Sequence, residues 1–227
     1  MKNKKAESVK RYLAIGAHFD DIEIGAGGFL ALEKSRGNIV KMAVVANGDY
    51  NLVNGKKART EQVAISEGIK AIEHLGFNYK DLECLGYPET GIPHSNEAIR
   101  KIENIINDFN PDIILTHWVH DSHQDHINTA LSVISAARYR HSILMWEPIF
   151  PSGGFSTIPF VPQLYVDISE HIKLKVKAIE SHESQVMKFT KQNIKWIEGI
   201  TARAKFRGFE CQSDYAETFF VYRMKYK

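Results

Sequence analysis

Two clusters of histidine and aspartate, about a hundred residues apart, each follow an apolar run. The first cluster, Ala-His-Phe-Asp-Asp-Ile-Glu at residues 17–23, follows the run at residues 12–17. The second, Asp-Ser-His-Gln-Asp-His at residues 121–126, comes after the run at residues 112–118. Such runs are typical of buried strands, and ligands bind where the carboxyl ends of parallel strands meet. Imidazole and carboxylate groups that converge there suit a divalent metal ion, so the sequence predicts one metal site split between distant segments.

Three side chains from the two clusters form a suitable ligand set. Catalytic zinc sites commonly take three ligands from histidine and carboxylate and leave a position for water. His18, Asp21 and His126 supply such a set, which also suits iron, manganese or cobalt. Asp20 points away from its neighbour Asp21, so it is free to take a proton from bound water. The alternative is that the acids of residues 18–23 only favour a helix N-terminus through its dipole.

The second cluster offers a further catalytic group. His123 lies three residues before His126 at the predicted start of a helix, so it faces the open metal position if His126 is a ligand. As an imidazolium it would stabilise an oxyanion or protonate a leaving amine. Asp125 is expected to orient an imidazole through its free N–H. Two alternatives stay open: the cluster is a solvated helix start, or His117 or His120 is a ligand.

The remaining chain predicts the elements that position these residues. Strand-like and helix-like segments alternate through its first two-thirds, which favours a parallel sheet covered on both faces. Predicted strands lie at 12–17, 39–46, 81–87, 112–118 and 142–147, and predicted helices at 22–35, 58–75, 95–109 and 125–139. A strand at 163–168, helices at 169–184 and 192–206 and a strand at 218–225 are predicted to follow. Residues 148–162, rich in Pro, Gly and Ser, are predicted to form a loop that shapes or covers a substrate site.

The glycines at residues 25, 27 and 28 suggest either a phosphate loop or close packing of a helix on the sheet. The segment lacks the dinucleotide-binding spacing after its strand, and no Walker lysine follows. Close packing is therefore the preferred interpretation, and neither NAD nor ATP is predicted as a cofactor.

Composition narrows the class of protein. A chain of 227 residues suits one α/β domain, and a net charge of +2 is too small to indicate a nucleic-acid partner. The basic residues 1–11 precede only a short apolar run, and no run reaches membrane-spanning length, so a cytoplasmic protein is expected. Cys84 and Cys211 lack CxxC spacing, which argues against thiolate metal ligands.

The paired motifs, AHFDDIE at 17–23 and HQDH at 123–126, closely resemble the signature of the PIG-L/LmbE-like family of zinc-dependent de-N-acetylases. The resemblance extends to Arg59-Thr-Glu61, to Ser181-His-Glu-Ser-Gln185 and to the closing segments within 207–217. It implies a Rossmann-like three-layer α/β/α fold with a mostly parallel sheet and a single deacetylase domain over the whole chain. A trimeric or hexameric assembly is also implied.

The resemblance assigns roles residue by residue. His18, Asp21 and His126 are implied as zinc ligands, and Asp20 as the general base. His123 is implied as the acid or oxyanion-stabilising group, with Asp125 as its support. Arg59 is implied as a contact to a sugar hydroxyl or phosphate. Without the resemblance, Arg59 could equally be a surface residue of a helix.

The chain departs from the family pattern at two places. Phe19 stands where the family usually has proline, which removes a rigid turn. Asp121 and Ser122 replace the Gly- or Tyr-containing approach to the second motif. Asp121 is therefore predicted to recognise a polar or cationic substrate group, with helix capping as the alternative. His182 is expected either to hydrogen-bond near the site or to be a satisfied histidine elsewhere.

The implied activity is hydrolysis of an N-acetyl group from an amino sugar or a small N-acetylglucosamine-type conjugate. The alternatives are a metal-dependent hydrolase of a different amide or ester and a non-catalytic sugar-binding relative. Trp118, Trp146 and Tyr87 would either stack on a sugar or pack against the sheet.

Overall fold

A computed structural model describes residues 8–52, 54–139, 142–150 and 158–225 of the chain. The strands are β1 (Arg11–Gly16), β2 (Ile39–Ala46), β3 (Tyr50–Asn51), β4 (Lys57–Arg59), β5 (Leu82–Tyr87), β6 (Ile113–His117), β7 (Ser142–Trp146), β8 (Leu164–Asp167) and β9 (Ala216–Arg223). The helices are α1 (Asp21–Ser35), α2 (Glu61–His74), α3 (Asn96–Phe109), α4 (Gln124–Ala136), α5 (Ile172–Glu180), α6 (Glu183–Lys191) and α7 (Trp196–Glu210), with a 3-10 turn at Tyr79–Asp81.

Seven of the strands form one sheet in the order β5-β2-β1-β6-β7-β9-β8. The first five of that order run parallel, and β9 is antiparallel to both β7 and β8. The predicted mostly parallel α/β fold is therefore confirmed.

Helices cover both faces of this sheet because successive residues of a strand point to opposite sides. Tyr12 and Ala14 of β1 face a core that includes residues of α1, α2 and α5. Leu13 and Ile15 face the opposite core, which contains residues of α3 and α4. The strand is thus buried on both sides, which explains its continuous apolar run.

The sheet has its switch point beside β1. The chain leaves β1 through α1 and enters β2 on one side, whereas β6 pairs with β1 on the other side. Ligands of doubly wound sheets bind in the crevice at the carboxyl ends of such strands. Both histidine-aspartate clusters lie there, since α1 begins five residues after Gly16 and α4 begins shortly after His117.

The glycines of α1 allow the helix to lie close to its neighbours. A Cβ atom on Gly25 would lie 2.4 Å from Cγ of Trp146, and one on Gly28 would lie 2.7 Å from the side chain of Ile168. No real side chain tolerates such distances, so close packing is confirmed as the role of these two glycines.

The structure contains one hairpin that the sequence did not predict, and two predicted helices differ from those observed. The short hairpin of β3 and β4 was not predicted, and Arg59 ends β4 rather than lying in α2, whose N-cap is Thr60. The helix predicted over 169–184 breaks after Glu180, because the chain turns at residues 181–182 and buries both side chains before α6 begins.

The predicted loop at 148–162 falls partly outside the described residues, which omit 151–157. Its described ends, 148–150 and 158–162, contain neither helix nor strand. Among the helices that the structure describes, none combines the length and apolar character needed to cross a membrane.

Candidate metal centre

The turn between β1 and α1 presents two adjacent carboxylates in different directions. Asp20 is the N-cap of α1, yet its side chain caps no backbone N–H, and its φ of 136° lies in a region that non-glycine residues rarely adopt. Strain of this kind persists where the surrounding structure enforces it, often at functional sites. Asp21 folds back instead, and its Oδ2 accepts a hydrogen bond of 2.6 Å from the backbone N–H of His18.

Ligand atoms of three residues from the two clusters lie close to one another. Nδ1 of His18 is 3.3 Å from Oδ2 of Asp21, and Nε2 of His126 is 3.3 Å from Oδ1 of Asp21. Nδ1 of His18 and Nε2 of His126 are also 3.3 Å apart. The structure thus brings together His18 and His126, which are 108 positions apart in the chain.

Two buried aspartates determine which nitrogen of each imidazole carries a proton. Nδ1 of His126 donates to Oδ2 of Asp121 at 3.0 Å, and Nε2 of His18 donates to Oδ2 of Asp125 at 3.0 Å. The remaining nitrogens, which face each other and Asp21, then present lone pairs. Three acceptors directed at one point require a cation between them, either a proton or a metal ion.

The local charges favour a cation at this point. The carboxylates of Asp125 and Asp21 raise the pKa of His18 well above its usual value, although burial alone lowers it. In the same way, Asp21 and Asp121 overcome burial and raise the pKa of His126 to about 9. The imidazole partners keep the pKa of Asp21 well below its ordinary value, so this carboxylate is charged at neutral pH.

The donor set fits a tetrahedral metal ion. Zinc–nitrogen and zinc–oxygen bonds of about 2.0–2.2 Å place neighbouring tetrahedral ligands roughly 3.3–3.6 Å apart. The 3.3 Å between the two imidazole nitrogens matches that spacing, and each of these nitrogens lies 3.3 Å from one of the two oxygens of Asp21. These residues would hold the ion, and a fourth position would face the cavity described below.

The contacts of Asp125 correct one expectation. Its carboxylate accepts from His18 and from the backbone N–H groups of Thr90 and Ile92, whereas only its backbone N–H reaches Nδ1 of His123, at 3.2 Å. The support of His123 by Asp125 that the resemblance implied therefore comes from the backbone N–H of Asp125 and not from its carboxylate. Asp125 orients His18 instead, because its side chain projects from the first turn of α4 toward β1.

The contacts of Asp121 point to a supporting role as well. Besides His126, it accepts a hydrogen bond of 2.9 Å from the backbone N–H of His123, and it is 5% exposed. Both carboxylate oxygens are thus engaged inside the protein. They do not support the predicted contact between Asp121 and a polar substrate group.

His123 stands at the edge of the centre with one nitrogen available. Its Nδ1 accepts from the Asp125 N–H, so the proton lies on Nε2, for which no donor or acceptor is found among the described residues. Burial and the charges of His126 and His18 lower its pKa to about 4. This low pKa favours a neutral ring at pH 7 over the expected imidazolium, and a neutral Nε2–H still donates a hydrogen bond.

Asp20 differs from Asp21 in its surroundings. Burial and the charge of Asp21 raise its pKa to about 7, against the opposing charges of His182 and Arg59. A carboxyl group with this pKa exchanges a proton readily near neutral pH.

His117, which the sequence offered only as an alternative ligand, packs against the metal centre. It is 2% exposed, stacks on His126 with ring centroids 4.0 Å apart, and lies 3.2 Å from Asp21. Its Nε2 accepts the backbone N–H of Ala17 at 2.9 Å, which occupies the nitrogen that would otherwise face a metal ion. His117 therefore links the end of β6 to the residue that follows β1, and it is not one of the three proposed ligands.

Arg59 lies in the cavity wall but is held by the protein. It is 3% exposed, its Nε donates to the carbonyl oxygen of Gly48 at 2.9 Å, and its Nη2 donates to Glu89 at 3.0 Å. It is therefore no surface helix residue, and its contact with a sugar hydroxyl or phosphate stays a prediction.

A cavity of about 460 Å³ opens over the metal centre. This volume suits a small molecule of one or two sugar units. One part of its wall is polar and another aromatic or aliphatic: the polar part includes Asp49, Asn51, Glu89 and Thr90, and the apolar part includes Trp146, Ile149, Phe150, Phe189 and Trp196.

The sequence indicated only some of this wall. Trp146 lines the cavity, whereas Trp118 packs in the core against Phe160, and the hydroxyl group of Tyr87 reaches Glu97. Phe189 was missed because the helix that carries it was not predicted.

The fold and site define an α/β protein with a centre of two histidines and one aspartate at the switch point of its sheet. The family model for the GlcNAc-PI de-N-acetylases, PIG-L, matches residues 13–137, which include both clusters. The chain belongs to this family, as the resemblance of its motifs predicted.

Two curated relatives are named as deacetylases. The diacetylchitobiose deacetylase of Thermococcus kodakarensis is 27% identical over 198 residues, which cover 81% of this chain and 73% of the relative. An uncharacterised deacetylase of Escherichia coli K12, YaiS, is 31% identical over 186 residues, which cover 79% of this chain and 94% of the relative.

Solved structures share the fold. The N,N'-diacetylchitobiose deacetylase of Pyrococcus horikoshii aligns with a TM-score of 0.78 and 21% identity over 96% of this chain and 86% of that one. GalB, a 4-carboxy-2-hydroxymuconate hydratase of Pseudomonas putida KT2440, aligns with a TM-score of 0.76 and 18% identity over 96% and 98%. The fold therefore carries more than one reaction, so the activity has to be argued from the site.

Proposed function

We propose that the protein removes an N-acetyl group from an amino sugar or a small N-acetylglucosamine-type conjugate by metal-dependent hydrolysis. One observation carries the proposal: two imidazole nitrogens lie 3.3 Å apart and each lies 3.3 Å from an oxygen of Asp21, beside the Asp20 carboxylate and an imidazole N–H, under an open cavity. The named activity of the Thermococcus relative supports the substrate class, and the name of the Escherichia coli relative supports deacetylation. Zinc is the favoured metal because two imidazoles and one carboxylate suit it.

His18, Asp21 and His126 would hold the ion. When bound, zinc would polarise the amide carbonyl and bring the pKa of a water ligand to about 7. Asp20 takes the proton of the attacking water as its oxygen bonds to the carbonyl carbon. The Nε2–H of His123 donates to the carbonyl oxygen as negative charge develops there. The C–N bond then breaks, and Asp20 delivers its proton to the departing nitrogen, which gives acetate and a free amine.

The remaining residues support this arrangement. Asp121 and Asp125 keep the two imidazoles in the protonation state and orientation that ligation requires. Arg59 and Asp121 were both predicted to bind substrate; we propose that Arg59 holds the cavity wall through Gly48 and Glu89, and that its contact with substrate is secondary. We also propose that the whole chain, residues 1–227, acts as one domain.

The test combines a substrate panel with one substitution. Zinc-loaded protein is assayed for acetate and free amine with N-acetylglucosamine, diacetylchitobiose, and nucleotide-linked and lipid-linked N-acetylglucosamine. At least one substrate is expected to be deacetylated. Asp20→Asn should lower kcat by about 10²–10⁴, the usual contribution of a general base, while its zinc content stays that of the wild type.

A matched variant controls for the loss of a carboxylate. Asp108→Asn changes an exposed aspartate of α3, remote from the cavity, and should keep full activity. Wild-type turnover of a non-sugar amide or an ester alone would support the alternative hydrolase. Sugar binding without any product amine would indicate a non-catalytic relative, and undiminished activity of Asp20→Asn would exclude the proposed base.

A further inference from the structure

Lys188 places a positive charge in the wall of the cavity. It lies half-buried in the last turn of α6, and its Nζ is 5.1 Å from the centroid of the Tyr50 ring and 5.3 Å from that of Phe189. These cation–π contacts hold the ammonium group at the wall, but aromatic faces do not occupy its three N–H donors. The donors therefore stay available to a group inside the cavity.

The carboxylates that line the cavity have other partners. Apart from Asp20, which the proposed reaction uses, each contacts a cation or an imidazole of the described chain; the pairs are Asp21–His126, Asp49–Lys57, Glu89–Arg59, Asp121–His126 and Glu147–Arg207. Lys188 forms no ion pair with a carboxylate of the described residues. Among the lysines and arginines of the described wall, it alone carries a charge that no carboxylate balances. Complementary charges favour recognition, so this wall suits an anionic group on the ligand.

One face of α6 builds this part of the wall. Gln185, Lys188 and Phe189 are three and four positions apart, so they lie on the same side of the helix, and all three line the cavity. Gln185 is 5% exposed, and its Nε2 donates a hydrogen bond of 3.3 Å to the hydroxyl oxygen of Tyr50. This bond fixes the ring against which the ammonium group packs. Lys188 is thus held by its neighbours at the cavity wall.

A lysine at this position also has a simpler interpretation. Cations in the last turn of a helix are stabilised by the helix dipole, and both Lys188 and Lys191 lie in the last turn of α6. The dipole accounts for the two lysines equally. It does not account for their different surroundings, since Lys191 is exposed and lies outside the cavity wall. Lys191 therefore supplies the comparison that separates the two roles.

We propose that Lys188 binds an anionic group, a phosphate monoester or a carboxylate, on the substrate whose N-acetyl group reaches the metal centre. This inference rests on the proposed function and narrows its substrate class to acidic N-acetylated amino sugars. An ammonium group binds such anions as a point charge with charge-assisted hydrogen bonds. The metal centre and α6 line the same cavity of about 460 Å³, which suits an amino sugar with one such substituent.

The test compares acidic substrates with a neutral one. Zinc-loaded protein is assayed with N-acetylglucosamine, its 1-phosphate, its 6-phosphate and N-acetylmuramic acid, which carries a carboxylate. The kcat/KM of the wild type should be about tenfold to a hundredfold higher for at least one acidic sugar than for the neutral one, the usual effect of a hydrogen bond to a charged group. The phosphorylated and carboxylated sugars distinguish the two kinds of anion. In Lys188→Met, the ratio of acidic to neutral kcat/KM should fall by a similar factor.

Three further variants separate the charge from packing and from the helix dipole. Lys188→Gln keeps a polar end without the charge and should behave like Lys188→Met. Lys188→Arg keeps the charge and should keep most of the preference for the acidic sugar. Lys191→Met is the matched control, because it removes a lysine from the same helix turn outside the cavity, and it should keep the wild-type ratio.

The ratio of acidic to neutral turnover decides the matter. A preference for an acidic sugar that Lys188→Met and Lys188→Gln lose, and that Lys188→Arg and Lys191→Met keep, supports the inference. The inference is overturned if the wild type prefers no acidic sugar, if Lys188→Met keeps the preference, or if Lys191→Met loses it equally. Those failures leave the proposed function standing, because the neutral sugar is still deacetylated. A wild-type protein that deacetylates none of the sugars overturns the proposed function and this inference together.

Discussion

Helix α1 contacts two buried groups of charges that differ in how completely they are paired. At its N-terminus, the ligand atoms of His18, Asp21 and His126 face one another with no donor between them. At its middle, Nζ of Lys175 contacts Oε1 of Glu217 at 2.5 Å, and both side chains are 3% exposed. The first group directs its ligand atoms at a point that suits a bound cation, whereas the second contains its own cation, Lys175.

The pairing around Glu217 is complete. Its two oxygens accept the backbone N–H groups of Gly28 and Phe29 at 2.9 and 2.7 Å, and Lys175 also donates to the carbonyl oxygen of Ile24 at 2.6 Å. Every charge in this group has its counterpart inside the fold, so it needs no ligand. The comparison teaches that a buried charged cluster indicates a binding site only when its acceptors exceed its donors.

The largest expected effect on stability comes from breaking the complete group. Lys175→Met leaves Glu217 charged and unpaired in the core, which should cost about 3–5 kcal/mol of unfolding free energy. For a chain of this length that corresponds to a melting temperature roughly 6–20 °C lower, measured by calorimetry. The double variant Lys175→Met/Glu217→Gln should recover part of the loss, and zinc binding below the transition should persist. A melting temperature equal to that of the wild type would show that the pair is not needed.

The incomplete group should respond to metal instead. Zinc at a hundred times its dissociation constant should stabilise the folded protein by about 2.7 kcal/mol, and chelation should reverse the gain. His126→Ala should lose this response because one of three ligands is missing. The exposed His94 supplies the control, since His94→Ala should keep it. Equal responses of the two variants would place the metal elsewhere.

The ligand set could be predicted from the sequence because its members lie directly after strands. The carboxyl ends of adjacent parallel strands meet, so the positions of His18, Asp21 and His126 along the chain predict that they lie together. The sheet was predictable for the same reason, since alternating strands and helices leave few arrangements.

The partners of these groups could not be predicted in the same way. The carboxylate of Asp125 contacts His18 rather than His123, because α4 begins at Gln124 and directs this side chain toward β1. Residue spacing alone does not specify that orientation. The Lys175–Glu217 pair joins segments 42 residues apart through helix–sheet packing. The break between α5 and α6 has no glycine or proline to announce it.

A smaller effect is expected from the aspartates behind the ligands. Asp121→Asn weakens the hydrogen bond that holds Nδ1 of His126, so zinc affinity should fall about tenfold to a hundredfold, equivalent to roughly 1.4–2.7 kcal/mol. Asp125→Asn should act similarly through His18. Competition with a chromophoric chelator measures both, with Asp108→Asn as the control. Unchanged affinity in both variants would mean that the imidazoles are oriented by packing alone.

The smallest effect should come from an ion pair at the mouth of the cavity. Lys57 contacts Asp49, but the two side chains are 48% and 36% exposed, so water and salt screen their attraction. Lys57→Met should change the unfolding free energy by less than about 1 kcal/mol, measured by urea denaturation. Both pairs join an ammonium group to a carboxylate, so the ratio of their effects measures what burial and the additional hydrogen bonds of Lys175 and Glu217 contribute together. A loss for Lys57→Met as large as that for Lys175→Met would refute the argument, because burial could then not distinguish a structural charge pair from an incidental one.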